Sequence, residues 1–186
     1  MRWYKININD VQDAEFDTFF AITDSKKRAR ISRYKHMKDR KLSVCAEMLA
    51  KKAIADIFSA SPYDVELSAD GNGKPFCRNF KIELSLAHSG DYAVCAVSDA
   101  PVGIDIQKIV PYNPKTAGKV CSDAELEAIE LSSDKAAEFI KLWTKKEAVL
   151  KMRGTGITHG MKECLDGQKV ETVRFSDYFV SICEKL

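Results

Sequence analysis

Short runs rich in β-branched and aromatic residues, several of them alternating apolar with polar, occupy residues 3–8, 83–87, 92–98, 102–107, 169–175 and 177–183. Such runs predict strands. Apolar residues at the i, i+3, i+4 spacing of a helix recur near residues 16–20, through 25–58, and over 122–131 and 135–152. Turn signals separate these segments: Ser61-Pro62, Gly71-Asn72-Gly73, the proline-bearing loop 111–114 and the glycine turn Gly154 to Gly156. The order long helix, glycine turn, hairpin occurs twice. The two hairpins even share a pattern, Gly90-Asp91-Tyr92-Ala93-Val94 beside Ser176-Asp177-Tyr178-Phe179-Val180. The expectation is an α+β protein of two pseudo-symmetric halves, each a small antiparallel sheet packed against a long helix, dividing into residues 1–103 and 104–186.

One side chain breaks the helical pattern. At about 100° per residue, Phe139, Ile140, Trp143, Glu147 and Leu150 fall on a single stripe, so a carboxylate stands among core positions. Such a group must be paired, protonated or bound to a metal, because burying it alone costs several kcal/mol or more. Lys151, one turn on, is a possible partner; an exposed pair of that spacing is worth only about 0.2–0.5 kcal/mol. In the strand 102–107, Ile104 and Ile106 point to one face while Gly103, Asp105 and Gln107 point to the other. Two oxygen-bearing side chains on alternate strand positions, with a helix carboxylate, suit a hard cation such as Mg²⁺. Taken alone, Asp105 reads equally as a solvated residue at a strand end. Gly103 leaves room for a ligand or another backbone to come close.

These two segments resemble the hallmarks of the 4′-phosphopantetheinyl transferases of the surfactin-synthetase-activating type. The G-[IV]-D-[IV]-E strand of that family reads Gly103 to Gln107 here, and its W-x-x-K-E-[AS]-x-x-K helix reads Trp143 to Lys151. Weaker blocks lie upstream in the family's order: Asp39-Arg40, Gly73-Lys74-Pro75, and Leu84 through His88 and Ser89 to Gly90. The resemblance covers roughly residues 25–160. It implies a cleft between the halves that binds coenzyme A. The implied reaction transfers the phosphopantetheine arm of coenzyme A to a serine of an apo acyl or peptidyl carrier protein. On the same grounds Asp105 and Glu147 would hold Mg²⁺, with Gln107 at the third ligand position. Glu147, directly or through a water, would take the proton of the incoming serine, and Lys151 would offset charge on the phosphate. Arg40, Lys74, Pro75, His88, Ser89 and Lys151 would hold the coenzyme. For His88 the alternative is a hydrogen-bonded structural histidine; for Lys146, on the helix flank, it is a solvated lysine. Trp143 reads as a core anchor.

The chain departs from the family pattern twice. Gln107 stands where many relatives carry an acidic ligand, which predicts a site with one less negative charge, and Ala87 stands where the histidine is often preceded by serine.

Composition narrows the partners. At 186 residues the chain can bury one core or two small ones. Its net charge of +2 hides a dense cluster, Lys26, Lys27, Arg28, Arg30, Arg33, Lys35, Lys38, Arg40 and Lys41. That cluster attracts a polyanion: coenzyme A, an acidic protein or nucleic acid. With neither a C-x-x-C pattern nor an RNP-like aromatic strand, nucleic acid is not expected. The six cysteines are scattered without zinc spacing and read as reduced thiols of a cytoplasmic protein. No apolar run approaches membrane-spanning length. A monomer is expected, with the carrier surface set by loops such as residues 112–119. Two other classes fit less of the chain: a non-catalytic homologue that binds coenzyme A or carrier, and a basic nucleic-acid-binding module.

Overall fold

Gly103 sets how the second half is built. In the computed structural model, which describes residues 1–71, 73–155 and 160–185, a Cβ placed on Gly103 would lie 1.9 Å from the Ala148 carbonyl oxygen and 2.4 Å from the Met152 amide nitrogen. The close approach foreseen for this glycine is therefore that of another backbone. The strand is β6 (Val102–Lys108) and the helix on it is α6 (Lys135–Arg153). β6 pairs antiparallel with β8 (Tyr178–Glu184), which also pairs with β7 (Val170–Phe175), giving the order β6-β8-β7. The division expected between residues 103 and 104 falls inside β6, near its start.

The first half uses the same connectivity. β1 (Arg2–Asn7), β4 (Glu83–Ser89) and β5 (Tyr92–Ser98) form an antiparallel sheet of order β1-β5-β4, and α3 (Met37–Phe58) runs between the first strand and the hairpin. Ala50, Ala53 and Ile54 of α3 pack on Leu84, Cys95 and Val97 of that sheet. The opposite face carries Ala87, Val94 and Ala96, which share one buried cluster with Ile104, Ile106, Val180 and Ile182 of the second sheet. A common apolar layer thus joins the halves, and β5 is buried along both faces, as a strand covered on each side must be.

Two edge strands, β4 and β6, meet without a backbone ladder between them. Serine hydroxyls fill the gap: Ser85 Oγ accepts from the Ile104 amide at 3.0 Å, and Ser89 Oγ accepts from the Lys108 amide at 3.1 Å. An edge covered in this way is closed to other chains. A short hairpin, β2 (Leu67–Ala69) with β3 (Pro75–Cys77), packs its second strand near β4.

Several expectations change. The helix expected over residues 25–58 is two helices, α2 (Ser25–Ile31) and α3, preceded by α1 (Asp13–Ile22). No glycine or proline marks the break. It arises because Ile31 and Tyr34 turn into a cluster with Phe16, Leu42 and Cys45, and Arg40 braces the turn by donating to the Tyr34 and Ser32 carbonyls at 3.0 and 3.1 Å. Residues 112–119, expected as loop, include helix α4 (Pro114–Val120), capped by the Asn113 side chain. α5 (Asp123–Leu131) follows as expected. Asn72 and Gly156 of the expected glycine turns lie outside the described residues.

Replacing Gly103 by alanine should force α6 off β6. We expect a loss of about 3 kcal/mol, at the upper end for overpacking, read as a lower urea midpoint with an unchanged m-value.

Candidate functional site

A cleft of about 1200 Å³ opens between the halves, and its walls include residues from α2, α3, β2, β3, β4, β6 and α6. β6 supplies Asp105 and Gln107 through its alternation, and α6, pinned against Gly103, brings Glu147 and Lys151 to the same place. Asp105 is 3% exposed and its Oδ1 accepts from the Lys151 ammonium at 2.7 Å. Its Oδ2 accepts from the Gln107 amide at 3.2 Å. Lys151 therefore reaches across the cleft floor to Asp105, not back along the helix to Glu147, and its ammonium also faces the Leu86 carbonyl at 3.5 Å.

Glu147 is left with a buried Oε1 that has no hydrogen-bond partner among the described residues. Burial raises its pKa above the usual carboxylate value; the Asp105 charge pushes the same way, and Lys151 opposes both. Among the described residues, no three His, Cys, Asp or Glu side chains gather at one point. The site offers two carboxylates with an amide beside them.

His88 lines the cleft at the end of β4 with its side chain still accessible. The surrounding protein, and after it the Lys151 ammonium, lower its pKa below the usual histidine value. Pro75 is also on the wall. Ser89 lies one layer back: besides serving the Lys108 amide, its hydroxyl donates to Gln107 Oε1 at 3.4 Å, so it orients the amide that touches Asp105. Lys74 is turned to the end of α6, donating to the Met152 carbonyl at 3.4 Å, a favoured place for a cation at a helix C-terminus. Arg40, braced in the turn before α3, stands off the cleft wall for the same kind of reason. Trp143 both borders the cleft and packs edge-on against Phe139, with ring centroids 6.0 Å apart.

The cations that do line the cleft include Lys26, Lys27 and Arg30 of α2, Lys51 of α3 and Arg78. Lys27 forms an ion pair with Glu47, which is 2% exposed, and Lys51 donates to the Val65 carbonyl at 2.7 Å. Sequence reasoning counted the α2 cations only as part of a cluster and passed over Glu47 and Lys51. The signal existed: Ser43, Glu47 and Lys51, at i, i+4 and i+8, break the apolar face of α3 as Glu147 breaks that of α6. Lys146, expected as solvated or as a weak candidate, is completely buried.

Glu147 also sets a pH dependence. A carboxyl whose pKa is raised on folding binds a proton more tightly in the native state. Stability in the metal-free protein therefore falls as pH climbs from the unfolded carboxylate value, 4.5, toward the raised native one. Glu147→Gln removes that loss. In EDTA, the melting temperature of the variant should rise relative to the parent chain between pH 4.5 and 7.5, and a constant difference across that range would exclude the burial argument.

Comparison with known proteins gives this cleft a family. A family model described as 4′-phosphopantetheinyl transferase, N-terminal, matches residues 10–100, and one described as the 4′-phosphopantetheinyl transferase superfamily matches residues 101–183. The chain is 33% identical over 161 residues to the 4′-phosphopantetheinyl transferase psf-1 of Bacillus pumilus, an alignment covering 82% of this chain and 68% of the relative. It is 28% identical to the 4′-phosphopantetheinyl transferase gsp of Aneurinibacillus migulanus, over 80% of this chain and 63% of that one. It is 27% identical to the 4′-phosphopantetheinyl transferase Sfp of Bacillus subtilis (strain 168), over 77% and 66%. The chain thus spans about two thirds of the length of these relatives. Both family models and the psf-1 alignment agree, and the chain belongs to the 4′-phosphopantetheinyl transferase superfamily.

Proposed function

We propose that this chain moves the 4′-phosphopantetheine arm of coenzyme A onto a serine hydroxyl of an apo acyl or peptidyl carrier protein. The serine oxygen forms a bond to the phosphorus bearing pantetheine, the bond from that phosphorus to the bridging oxygen breaks, and 3′,5′-adenosine bisphosphate leaves. The observation that carries the reading is the unpartnered Oε1 of Glu147, buried beside the Asp105–Lys151 pair at the floor of a cleft whose walls hold lysines and arginines.

The donor set fits a hard divalent cation such as Mg²⁺: two carboxylates and an amide, all oxygen-bearing, with one carboxylate oxygen free of any hydrogen-bond partner among the described residues. Asp105 and Glu147 would hold the ion, with Gln107 at their side, and it would supply charge neutralisation for the pyrophosphate. Phosphoryl-type transfer depends mostly on positioning and charge, and the chain's own side chains serve both. Glu147 takes the proton released by the serine, directly or through a water. Lys151 offsets charge on the phosphate in flight. His88, Lys26, Lys27 and Arg30 line the wall where the remaining coenzyme phosphates would lie. Arg40, Lys74 and Ser89 support that wall from behind. The reading includes a monomer, supported by a cleft whose two walls come from one chain, and the cytoplasm, supported by six unpaired cysteines.

The test is intact-mass analysis of an apo carrier incubated with the protein, coenzyme A and Mg²⁺. We expect a gain of one phosphopantetheine arm, abolished by EDTA and slowed about 10²-fold or more by Glu147→Ala, the range for loss of a general base. Coenzyme A binding without transfer to any carrier would point instead to the non-catalytic homologue.

Gln107 generates a separate expectation. Glutamate at this position would lose the bond to Asp105 Oδ2 and add a negative charge beside it. Gln107→Glu should therefore melt below the parent chain in EDTA and gain more from Mg²⁺, with half-maximal rate reached at several-fold lower Mg²⁺.

A further inference from the structure

Among the described residues Lys146 is the largest fully buried side chain, at 0% exposure. An ammonium has three donors, and this one meets three acceptors: the Met161 carbonyl at 2.7 Å, the Lys162 carbonyl at 3.0 Å and Glu125 Oε2 at 2.8 Å. Each lies on a different piece of chain from the helix that carries the lysine. Glu125 is itself fixed, because its Oε2 also accepts from the Ser122 amide at 2.7 Å in the capping box that starts α5. Lys146 thus ties α6 to the start of α5 and to the segment that follows α6, one residue before Glu147.

We propose that the ion pair of fully buried Lys146 with partly exposed Glu125 is a positioning device for Glu147. It leaves no donor of Lys146 for a ligand, so the lysine acts through Glu147 and not on substrate. The need for such a device follows from the rest of α6. Gly103 sets the helix's distance from β6 and the Thr144–Ser181 hydroxyl contact of 2.9 Å ties it to β8, yet Glu147 Oε1 itself has no hydrogen-bond partner among the described residues. With no bond of its own, that oxygen is aimed only by the helix, and the flank away from β6 is held by Lys146. Misplacing a reacting group by about 1 Å costs on the order of 10²-fold in rate. A buried pair is seldom retained for net stability, since apolar replacements of both partners are often neutral. That leaves geometry as the role to test.

The inference rests on the transferase reading, and the experiment separates the two. Lys146→Met combined with Glu125→Gln removes the charges while the glutamine keeps the Ser122 cap. We expect a cooperative melt, faster amide exchange confined to residues 160–166, and a kcat for carrier modification about 10-fold to 100-fold lower with the KM for coenzyme A within about twofold. Lys145→Met, next to the clamp but outside it, should change none of these. Parent-like kcat together with parent-like exchange would overturn the proposal, as would a fall in kcat matched by exchange spread over the whole chain. If the double variant does not fold, Glu125→Gln alone is measured, with the same local exchange and a smaller fall in kcat expected; no change in either would again overturn it. A parent chain that modifies no carrier would end the transferase reading instead, and the exchange measurement would still report on the clamp.

Discussion

The distance between α6 and β6 governs the site, and a missing side chain sets it. With only hydrogen at position 103, the Ala148 carbonyl and Met152 amide come to where a Cβ would otherwise be. Two residues along the same strand face, Asp105 meets Lys151 at 2.7 Å. The contact is costly as well as useful. It drives Glu147 into a partly apolar environment next to a second carboxylate, raising its pKa and leaving an oxygen without a partner. Native structures rarely leave such a group unsatisfied without a reason; here the cost buys a basic carboxylate beside a fixed cation.

Support for this arrangement comes from polar groups placed where apolar ones would have packed more simply. Beneath Asp105, its partner in register on β8 is Ser181, whose hydroxyl sits 2.9 Å from both Thr144 of α6 and Thr172 of β7. Ser85 and Ser89 similarly tie β6 to the other half. Ser85 satisfies the buried Ile104 amide and Ser181 is itself satisfied by its two threonine neighbours, so the polar row costs little while fixing register.

Much of this was legible beforehand because it follows from period. The alternation of Ile104 and Ile106 against Gly103, Asp105 and Gln107, and the stripe that put Glu147 among core residues, are properties of single elements. What sequence could not supply was the partner across a gap. Lys151 was one possible partner of Glu147 because an i,i+4 relation is visible within the helix itself, yet tertiary packing gave it to Asp105. Lys146 looked solvated because its three acceptors lie on a distant helix cap and a later turn. The break between α2 and α3 came from the burial of Ile31 and Tyr34, with no turn residue to announce it. Helix α4 was a different kind of miss: Asn113-Pro114, a capping residue followed by proline at the first helical position, was a readable start signal.

The two departures from the family pattern act on different parts of this design. Ala87, where the family often has serine before the histidine, is 7% exposed and joins Ile106 and Val94 in the layer between the sheets. It sits between the two serine rungs, at the point where the seam changes from hydrogen bonds to apolar contact. The alanine therefore packs in that layer while also bordering the cleft beside His88. Gln107 differs, because it touches Asp105 directly and is itself held by Ser89, which belongs to the other half. A carboxylate there would repel Asp105 whenever no cation intervened, whereas the amide bonds to it. The substitution therefore exchanges one negative charge of the site for an internal hydrogen bond that keeps Asp105 and Lys151 in place before any ligand arrives.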